Sequence, residues 1–277
     1  SASILLYHYR HFFGPLNTLN PKIYLETEPN LPFYSFLDIF YTYGFYGVPV
    51  FYAISGFVFS YIYLSKEKNT TAKVFFINRF ARLYPLHIAT LILVCFLQYI
   101  SFLNFDLFQL KLINDFYHFI LQIFFISAWG FQDGHSFNGP IWSVSIEIGI
   151  YIIFFLLIKK IKFFKLYIVT SIIVFLTIID KLEIGNLGIL FLDCSRLFFS
   201  GVLVYYICDK NKKNKFILNL ISILLLILSF IANFKIFLFC PALLMFFVTI
   251  EPIIERNKIK FFCKSFGDLT YSLYLVH

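Results

Sequence analysis

One histidine stands near the end of the first apolar segment of the chain. His8 lies between the apolar residues 4–6 and the basic residues Arg10 and His11. An imidazole has a pKa of about 6.5 and accepts a proton at neutral pH, which the activation of a hydroxyl group requires. His8 is therefore a candidate general base. The alternative is an interfacial histidine that only marks the end of a helix.

Ionisable side chains are few inside the apolar segments. The chief ones are His8, His87, Glu147, Asp193 and Arg196. Because such groups are costly in a membrane, each is a functional candidate.

Glu147 interrupts an apolar segment that begins near residue 140. It lies four positions after Ser143 and four before Tyr151, so the three side chains share one helix face. Its carboxylate must pair, take up a proton or face water. Glu147 therefore either takes part in catalysis or ties this helix to another through an arginine. The candidate partners are Arg79, Arg82 and Arg196.

Two of the five arginines, Arg79 and Arg82, lie three positions apart on one face of a predicted helix. Guanidinium groups match phosphate and carboxylate oxygens, so the pair suits an anionic ligand at the cytoplasmic surface. Topological anchoring is the alternative, and lysine would serve it equally well. Lysine is used nearly everywhere else in the chain, so the use of arginine here favours ligand binding.

A segment with several small residues spans residues 44–57 and includes Gly47, Pro49, Ser55 and Gly56. Small residues let helices approach closely in lipid, and a serine hydroxyl can bond to a neighbouring helix. A proline frees backbone groups that another polar atom must satisfy. The pattern predicts helix packing, with any substrate role secondary.

No metal-ligand pattern, phosphate-binding loop or serine-hydrolase motif occurs in the sequence. We therefore expect no metal and no permanently bound cofactor. His118 and His135 lie near predicted helix ends and are expected to be solvated. The five cysteines are scattered, which is typical of small buried apolar residues.

The composition indicates the kind of scaffold that positions these groups. The 277 residues are 60% hydrophobic and 14% charged, whereas soluble domains average about 25% charged residues. This excludes a soluble, disordered or secreted disulfide-rich protein. The net charge of +8 comes largely from lysine clusters such as those at 159–162 and 212–215. These are typical of cytoplasmic loops and not of nucleic-acid binding.

Apolar runs predict an all-α, polytopic membrane helix bundle of about ten transmembrane helices, each needing about 20 residues. The runs are 1–13, 39–65, 83–105, 115–130, 140–158, 166–180, 188–208, 216–234, 236–250 and 266–277. We expect one domain over 1–277, with its first and last helices incomplete. The basic loops do not all fit ten crossings, so either one run is re-entrant or one loop breaks the positive-inside rule.

Several short motifs follow one another along the chain. They are His8; Gly44-x-x-Gly47-Val48-x-x-Phe51-Tyr52-x-x-Ser55-Gly56-Phe57; Asn78-Arg79-x-x-Arg82-x-x-Pro85; Trp142-Ser143-x-x-x-Glu147-x-x-x-Tyr151; Arg196 through Gly201; and Gly267-x-x-x-Tyr271-Ser272-Leu273-Tyr274-Leu275-x-His277. In this order the chain resembles the acyltransferase family 3 membrane proteins, which include bacterial O-antigen O-acetyltransferases.

The resemblance implies an enzyme of the bacterial inner membrane. Such an enzyme takes an acyl group, usually acetyl, from acyl-CoA and modifies a glycan or lipid-linked glycan such as lipopolysaccharide. It makes His8 the leading catalytic residue, with Glu147 orienting it or neutralising a buried arginine. Arg79 and Arg82 would then hold the phosphates of acetyl-CoA. The family pairs this histidine with a basic residue eleven positions upstream, which here would precede Ser1.

The remaining candidates have weaker assignments. Trp142, Ser143 and Tyr271 are expected to contact substrate or CoA, although packing is an alternative for the two aromatic rings. Ser55, Gly56, Arg196 and His277 have structural or undecided roles.

Two other functions stay open at this point. One is a transporter or flippase of a lipid-linked sugar, although transporters often contain internal repeats and none is visible here. The other is an inactive membrane binding module.

Overall fold

The computed structural model describes residues 2–9, 31–64, 72–106, 113–160, 166–182, 189–211 and 214–255. Within these ranges the chain is helical and contains no strand. Its α-helices are α1 (Ala2–Tyr9), α2 (Tyr34–Tyr43), α3 (Gly47–Tyr63), α4 (Ala72–Phe105), α5 (Phe116–Ile123), α6 (Ile141–Lys160), α7 (Leu166–Lys181), α8 (Ile189–Lys210), α9 (Lys215–Ile231) and α10 (Ile236–Glu255). A 3₁₀ turn at Gly44–Tyr46 joins α2 to α3, and a π-helical turn at Ser127–Phe131 follows α5.

Four helical stretches in the described residues are long and apolar enough to cross a membrane. They are Tyr34–Tyr63, Leu83–Phe105, Ile141–Ile158 and Ile189–Lys210, with shorter apolar helices at Lys215–Ile231 and Ile236–Ile250. These stretches match six of the predicted apolar runs closely. The predicted class, an all-α membrane protein, is confirmed. The predicted run 266–277 lies outside the described residues.

The single span predicted at 115–130 is wrong. α5 ends at Ile123, and Phe125 takes a left-handed φ of 57° that a continuing helix does not allow. The hydroxyl of Ser145 in α6 donates to the carbonyl oxygen of Phe125 at 2.8 Å and accepts from the backbone N–H of Ala128 at 3.1 Å. A side chain from another helix thus satisfies the backbone groups that the break frees, as an apolar environment requires.

The described helices divide into two compact units. The first consists of residues 1–48 and 73–148, and the second of residues 49–72 and 149–268, counting only residues that the structure describes. The boundaries fall inside α3, after the first residue of α4, and inside α6. The prediction of one domain over the whole chain stays a prediction.

In the first unit, α1 packs closely against the turn between α2 and α3. A Cβ added at Gly44 would lie 2.2 Å from the carbonyl oxygen of Ser3. The ring of Tyr7 packs against Phe45, with 5.6 Å between ring centroids. Glycine is therefore required at position 44 for α1 to lie this close.

In the second unit, α3 and α8 are in direct backbone contact. A Cβ added at Gly56 would lie 1.9 Å from the carbonyl oxygen of Phe198, and one added at Gly201 would lie 1.9 Å from that of Ala53. Small residues allow this close approach, which lets dispersion forces hold membrane helices together.

Candidate functional site

His8 lies in the last turn of α1, and its side chain is exposed. The ring of Tyr7 meets the imidazole edge-on, with 5.3 Å between centroids. Because α1 is held against the turn at Gly44, the imidazole stands at the end of an anchored helix.

Glu147 lies within the most buried part of α6. Its neighbours Ser145, Ile146 and Ile148 are buried, and Glu147 itself is only 6% exposed. A carboxylate at such a position is stable only when it is hydrogen-bonded, paired or protonated. Glu147 is therefore a buried acid in the same unit as His8.

Two predicted binding residues lie at the start of α6. Ser143 is buried, and its hydroxyl donates to the carbonyl oxygen of Pro140 at 3.0 Å. Trp142 is half-buried. The Ser143 hydroxyl thus has its proton committed to the start of the helix.

The arginine pair lies in α4. The backbones of Arg79 and Arg82 are part of this helix, three residues apart, and both belong to the first unit. Their side chains lie outside the described residues, as do Tyr271 and His277 altogether.

His87 is fully buried in α4 and belongs to a network of neutral polar side chains. Its Nε2 donates to the carbonyl oxygen of Gln122 at 2.9 Å, and its ring packs against Phe125 with 4.5 Å between centroids. The side-chain amide of Gln122 donates to the backbone and hydroxyl oxygens of Ser136. The network links α4, α5 and the segment before α6.

A second part of this network connects the same elements. The side-chain amide of Asn138 donates to the hydroxyl of Thr90 at 3.0 Å, and that hydroxyl lies 2.9 Å from the carbonyl oxygen of His87. We did not single out Gln122, Asn138 or Thr90 from the sequence. An amide between apolar residues, as at Gln122, is the one local signal that marks such a position.

Arg196 is buried in the second unit and pairs with two carboxylates. One guanidinium nitrogen, Nη2, lies 3.0 Å from a carboxylate oxygen of Asp180 in α7 and also contacts Asp193, one turn earlier in α8. The guanidinium group stacks over the ring of Phe237 at 4.3 Å. Arg196 therefore links α7, α8 and α10.

Ser55 also has a partner in the second unit. Its hydroxyl lies 3.1 Å from the hydroxyl of Tyr151, and both side chains are buried. The ring of Tyr151 stacks on Phe59, with 4.1 Å between centroids. This contact ties α3 to α6.

His118 is buried, which corrects the expectation that it is solvated. Asp115 caps α5: its carboxylate accepts from the backbone N–H and from the ring Nδ1 of His118, each at 2.8 Å. The backbone N–H and the ring of His118 hold the pKa of Asp115 below its usual value. The imidazole of His118 lies in this buried position because it hydrogen-bonds to the capping carboxylate of Asp115. His135 is exposed, as expected.

The family model of an acyltransferase domain matches residues 2–277. The chain belongs to acyltransferase family 3. The comparisons with curated proteins and with solved structures give no match. Membership confirms the resemblance drawn from the motifs and makes the protein a membrane acyltransferase.

In this acyltransferase, the predicted site residues divide between the two units. The first unit contains His8, Arg79, Arg82, Trp142, Ser143 and Glu147. The second unit contains Ser55, Gly56 and Arg196. The residues predicted to take part in acyl transfer, as far as the structure describes them, thus share one compact unit. The second unit holds residues whose contacts tie helices together.

The side chains of the first unit offer the acyltransferase groups for acid–base chemistry. Among the residues that the structure describes, no three His, Cys, Asp or Glu side chains form a group that could hold a metal ion. An exposed imidazole, that of His8, and a buried carboxylate, that of Glu147, are present in that unit. Such groups suit proton transfer to and from an attacking hydroxyl.

Proposed function

We propose that the protein is an integral-membrane O-acyltransferase that moves an acyl group, most simply acetyl, from acyl-CoA to a hydroxyl of a surface glycan or lipid-linked glycan. The family match over residues 2–277 carries this proposal, because it makes acyl transfer the reaction class. The proposed location is the bacterial inner membrane, and the lysine clusters at 159–162 and 212–215 support a cytoplasmic position for these loops.

His8 is the general base of the proposed reaction. The imidazole takes the proton of the acceptor hydroxyl as the oxygen attacks the thioester carbonyl. A C–O ester bond forms, the C–S bond breaks, and the imidazolium returns its proton to the departing CoA thiolate. A positioned general base of this kind contributes about 10²–10⁴-fold to the rate.

Arg79 and Arg82 bind the donor. Two arginines three positions apart in a helix suit one anion, because each guanidinium group can make paired hydrogen bonds to phosphate oxygens. Their position before the apolar stretch Leu83–Phe105 suits the polar nucleotide end of CoA at the membrane surface.

The other site residues support the two reactants. Glu147 orients the His8 imidazole or neutralises an arginine. Trp142 and Tyr271 provide aromatic walls for the pantetheine arm or the sugar, and the Ser143 oxygen accepts a hydrogen bond from either.

The test is transfer of radiolabelled acetyl from acetyl-CoA by the full-length protein in membranes of its native host. We expect label in a glycan fraction, and a loss of at least about 100-fold in His8→Ala. His135→Ala is the matched control, because His135 is also an exposed histidine of the first unit, and it keeps the activity.

Two results would overturn the proposal. If His8→Ala keeps wild-type activity, His8 is not the general base. Label on no acceptor, in the presence of folded protein, points instead to a carrier of lipid-linked sugar or to an inactive binding module.

A further inference from the structure

The helix α2 carries three stripes of side chains, and one of them faces the protein. Tyr41 is buried in that stripe, and its hydroxyl donates to the carbonyl oxygen of Pro32 at 3.2 Å. The ring of Tyr41 stacks with that of Tyr34, with 6.3 Å between centroids. These contacts fix the rotation of α2 about its axis, and the other two stripes lie on its outer side.

The first outer stripe is apolar and largely aromatic. Its members are spaced as i, i+3, i+4 and i+7, which places them on one helix face. They are Phe36, Ile39, Phe40 and Tyr43. Phe36 is 80% exposed and Ile39 is 59% exposed. Because a contiguous apolar face is unfavourable in water, this stripe indicates an apolar partner.

The second outer stripe is polar and consists of Ser35, Asp38 and Thr42. Ser35 and Asp38 are exposed, and Thr42 is half-buried. The Asp38 carboxylate accepts from the backbone N–H of Ile39 at 2.6 Å and is still exposed. An ionisable group is costly in hydrocarbon, and Asp38 lies near the middle of this ten-residue helix. The polar stripe therefore requires water or lipid headgroups.

The length of the chain supports the same environment for α2. The stretch Tyr34–Tyr63 has 30 residues, or about 45 Å of helix, whereas the hydrocarbon core is about 30 Å thick. α3 alone has 17 residues, which is just enough to cross that core. The 3₁₀ turn Gly44–Tyr46 separates α2 from α3. α2 is thus not needed for the crossing and is only three residues away from it.

We infer that α2 is an interfacial helix whose partner is the surface of the phospholipid bilayer. Its apolar stripe inserts among the upper acyl chains, and its polar stripe faces the headgroups and water. Helices with this division of side chains lie in the plane of the membrane, with the apolar face buried by about 5–10 Å. Neither water alone nor hydrocarbon alone satisfies both stripes.

The same surface sets the depth of His8. The ring of Tyr7 packs against Phe45 in the turn that follows α2, and the imidazole of His8 meets Tyr7 with 5.3 Å between centroids. A Cβ added at Gly47 would lie 2.7 Å from Cγ1 of Ile4, so α1 lies directly against the end of this turn. His8 is therefore held near the level of the headgroups. This placement does not depend on the proposed function.

The first test uses the unmodified full-length protein in vesicles of phosphatidylethanolamine and phosphatidylglycerol. One vesicle sample contains a phospholipid with a photoreactive diazirine in its headgroup, and the other contains one with the diazirine at the end of an acyl chain. Mass spectrometry locates the cross-linked residues. We expect the headgroup reagent to label α2 and Tyr9, and the chain-end reagent to label the neighbourhood of Phe96.

Phe96 is the matched control, because it is 59% exposed and lies in the middle of the apolar stretch Leu83–Phe105. A spin-labelled amino acid introduced by codon suppression at position 36, 38 or 96 measures depth through collisions with oxygen and with a water-soluble nickel complex. We expect position 36 to lie about 5–10 Å closer to the headgroups than position 96. Position 38 should be accessible to nickel, and position 36 should be shielded from it.

Three results would overturn the inference. Equal depths at positions 36 and 96 would place α2 in the hydrocarbon, and equal nickel access at positions 36 and 38 would place it in water. Cross-links from α2 to a second copy of the chain, without cross-links to lipid, would show that protein covers the apolar stripe. Labelling of Tyr9 by the chain-end reagent alone would contradict the placement of His8 near the headgroups.

Discussion

Gly56 and Gly201 make a reciprocal contact between α3 and α8, in which the missing Cβ of each leaves room for a backbone carbonyl of the other helix. The crossing is therefore set by two backbones and cannot relax by rotation of a flexible side chain. It lies in the second unit, beside the buried pair of Ser55 and Tyr151.

We expect Gly56→Ala and Gly201→Ala each to lower the free energy of unfolding by about 1–3 kcal/mol, because overpacking must push the helices apart. Alanine favours helix by up to about 1 kcal/mol, which offsets only part of this loss. Thermal unfolding in detergent measures the change. Gly134→Ala is the control, since its nearest atom is the movable Cδ1 of Ile113 at 3.1 Å. A midpoint for Gly201→Ala equal to that of the control would contradict the reciprocal contact.

The hydrogen bond between Ser55 and Tyr151 should appear as a coupling in a double-mutant cycle. Tyr151→Phe and Ser55→Ala each remove one hydroxyl, and the double variant removes both without leaving a buried group unpaired. We expect a coupling of about 0.5–1.5 kcal/mol in the free energy of unfolding. Additive losses would show that the two hydroxyls do not stabilise each other.

Breaking the ion pairs of Arg196 should destabilise the second unit. Arg196→Met leaves Asp180 and Asp193 without their cation, whereas Asp180→Asn leaves the arginine one carboxylate. Fully buried pairs lose about 3–5 kcal/mol when one partner is removed. Since the two carboxylates are partly exposed, we expect a smaller loss for Arg196→Met and a still smaller one for Asp180→Asn. Urea unfolding measures both losses. A larger loss of unfolding free energy in Asp180→Asn than in Arg196→Met would refute this account.

The arginine pair of α4 should act on the nucleotide end of the donor. Arg82→Lys keeps the charge but loses paired hydrogen bonding to phosphate. We expect its KM for acetyl-CoA to rise about tenfold, with no change for acetyl-pantetheine, which lacks the nucleotide phosphates. Lys73→Ala, at an exposed lysine of the same helix, is the control. An equal rise in KM for both donors would show that Arg82 does not bind the nucleotide phosphates.

The cap at Asp115 makes part of the stability depend on pH. The pKa of its carboxyl is lowered in the folded protein, chiefly by the backbone N–H of His118. The stabilisation is therefore present above the unfolded-state pKa and is lost as the pH falls through the lower folded-state pKa. Asp115→Asn keeps the cap but should abolish this pH dependence, and Asp115→Ala should lose both. Unfolding midpoints between neutral and strongly acidic pH test this, and identical profiles in wild type and Asp115→Asn would exclude it.

Local sequence patterns were sufficient to predict the fold class, the family and most helix boundaries. Apolar runs such as 83–105 and 188–208 predict their helices because burial in lipid depends on composition over about 20 neighbouring residues. The break after α5 could not be predicted in this way. Phe125 leaves the helix because Ser145, twenty positions later, hydrogen-bonds to its carbonyl oxygen.

The sequence by itself determined that the protein is an all-α membrane acyltransferase and named His8, Glu147 and the arginine pair as candidates for its chemistry. Only the tertiary structure decided which polar groups meet. His87 and Gln122 lie 35 positions apart, and Arg196 meets Asp180 across two helices. Such pairs depend on the approach of separate helices, which is set by close packing at small residues, and no local pattern of residue types encodes the distance between them.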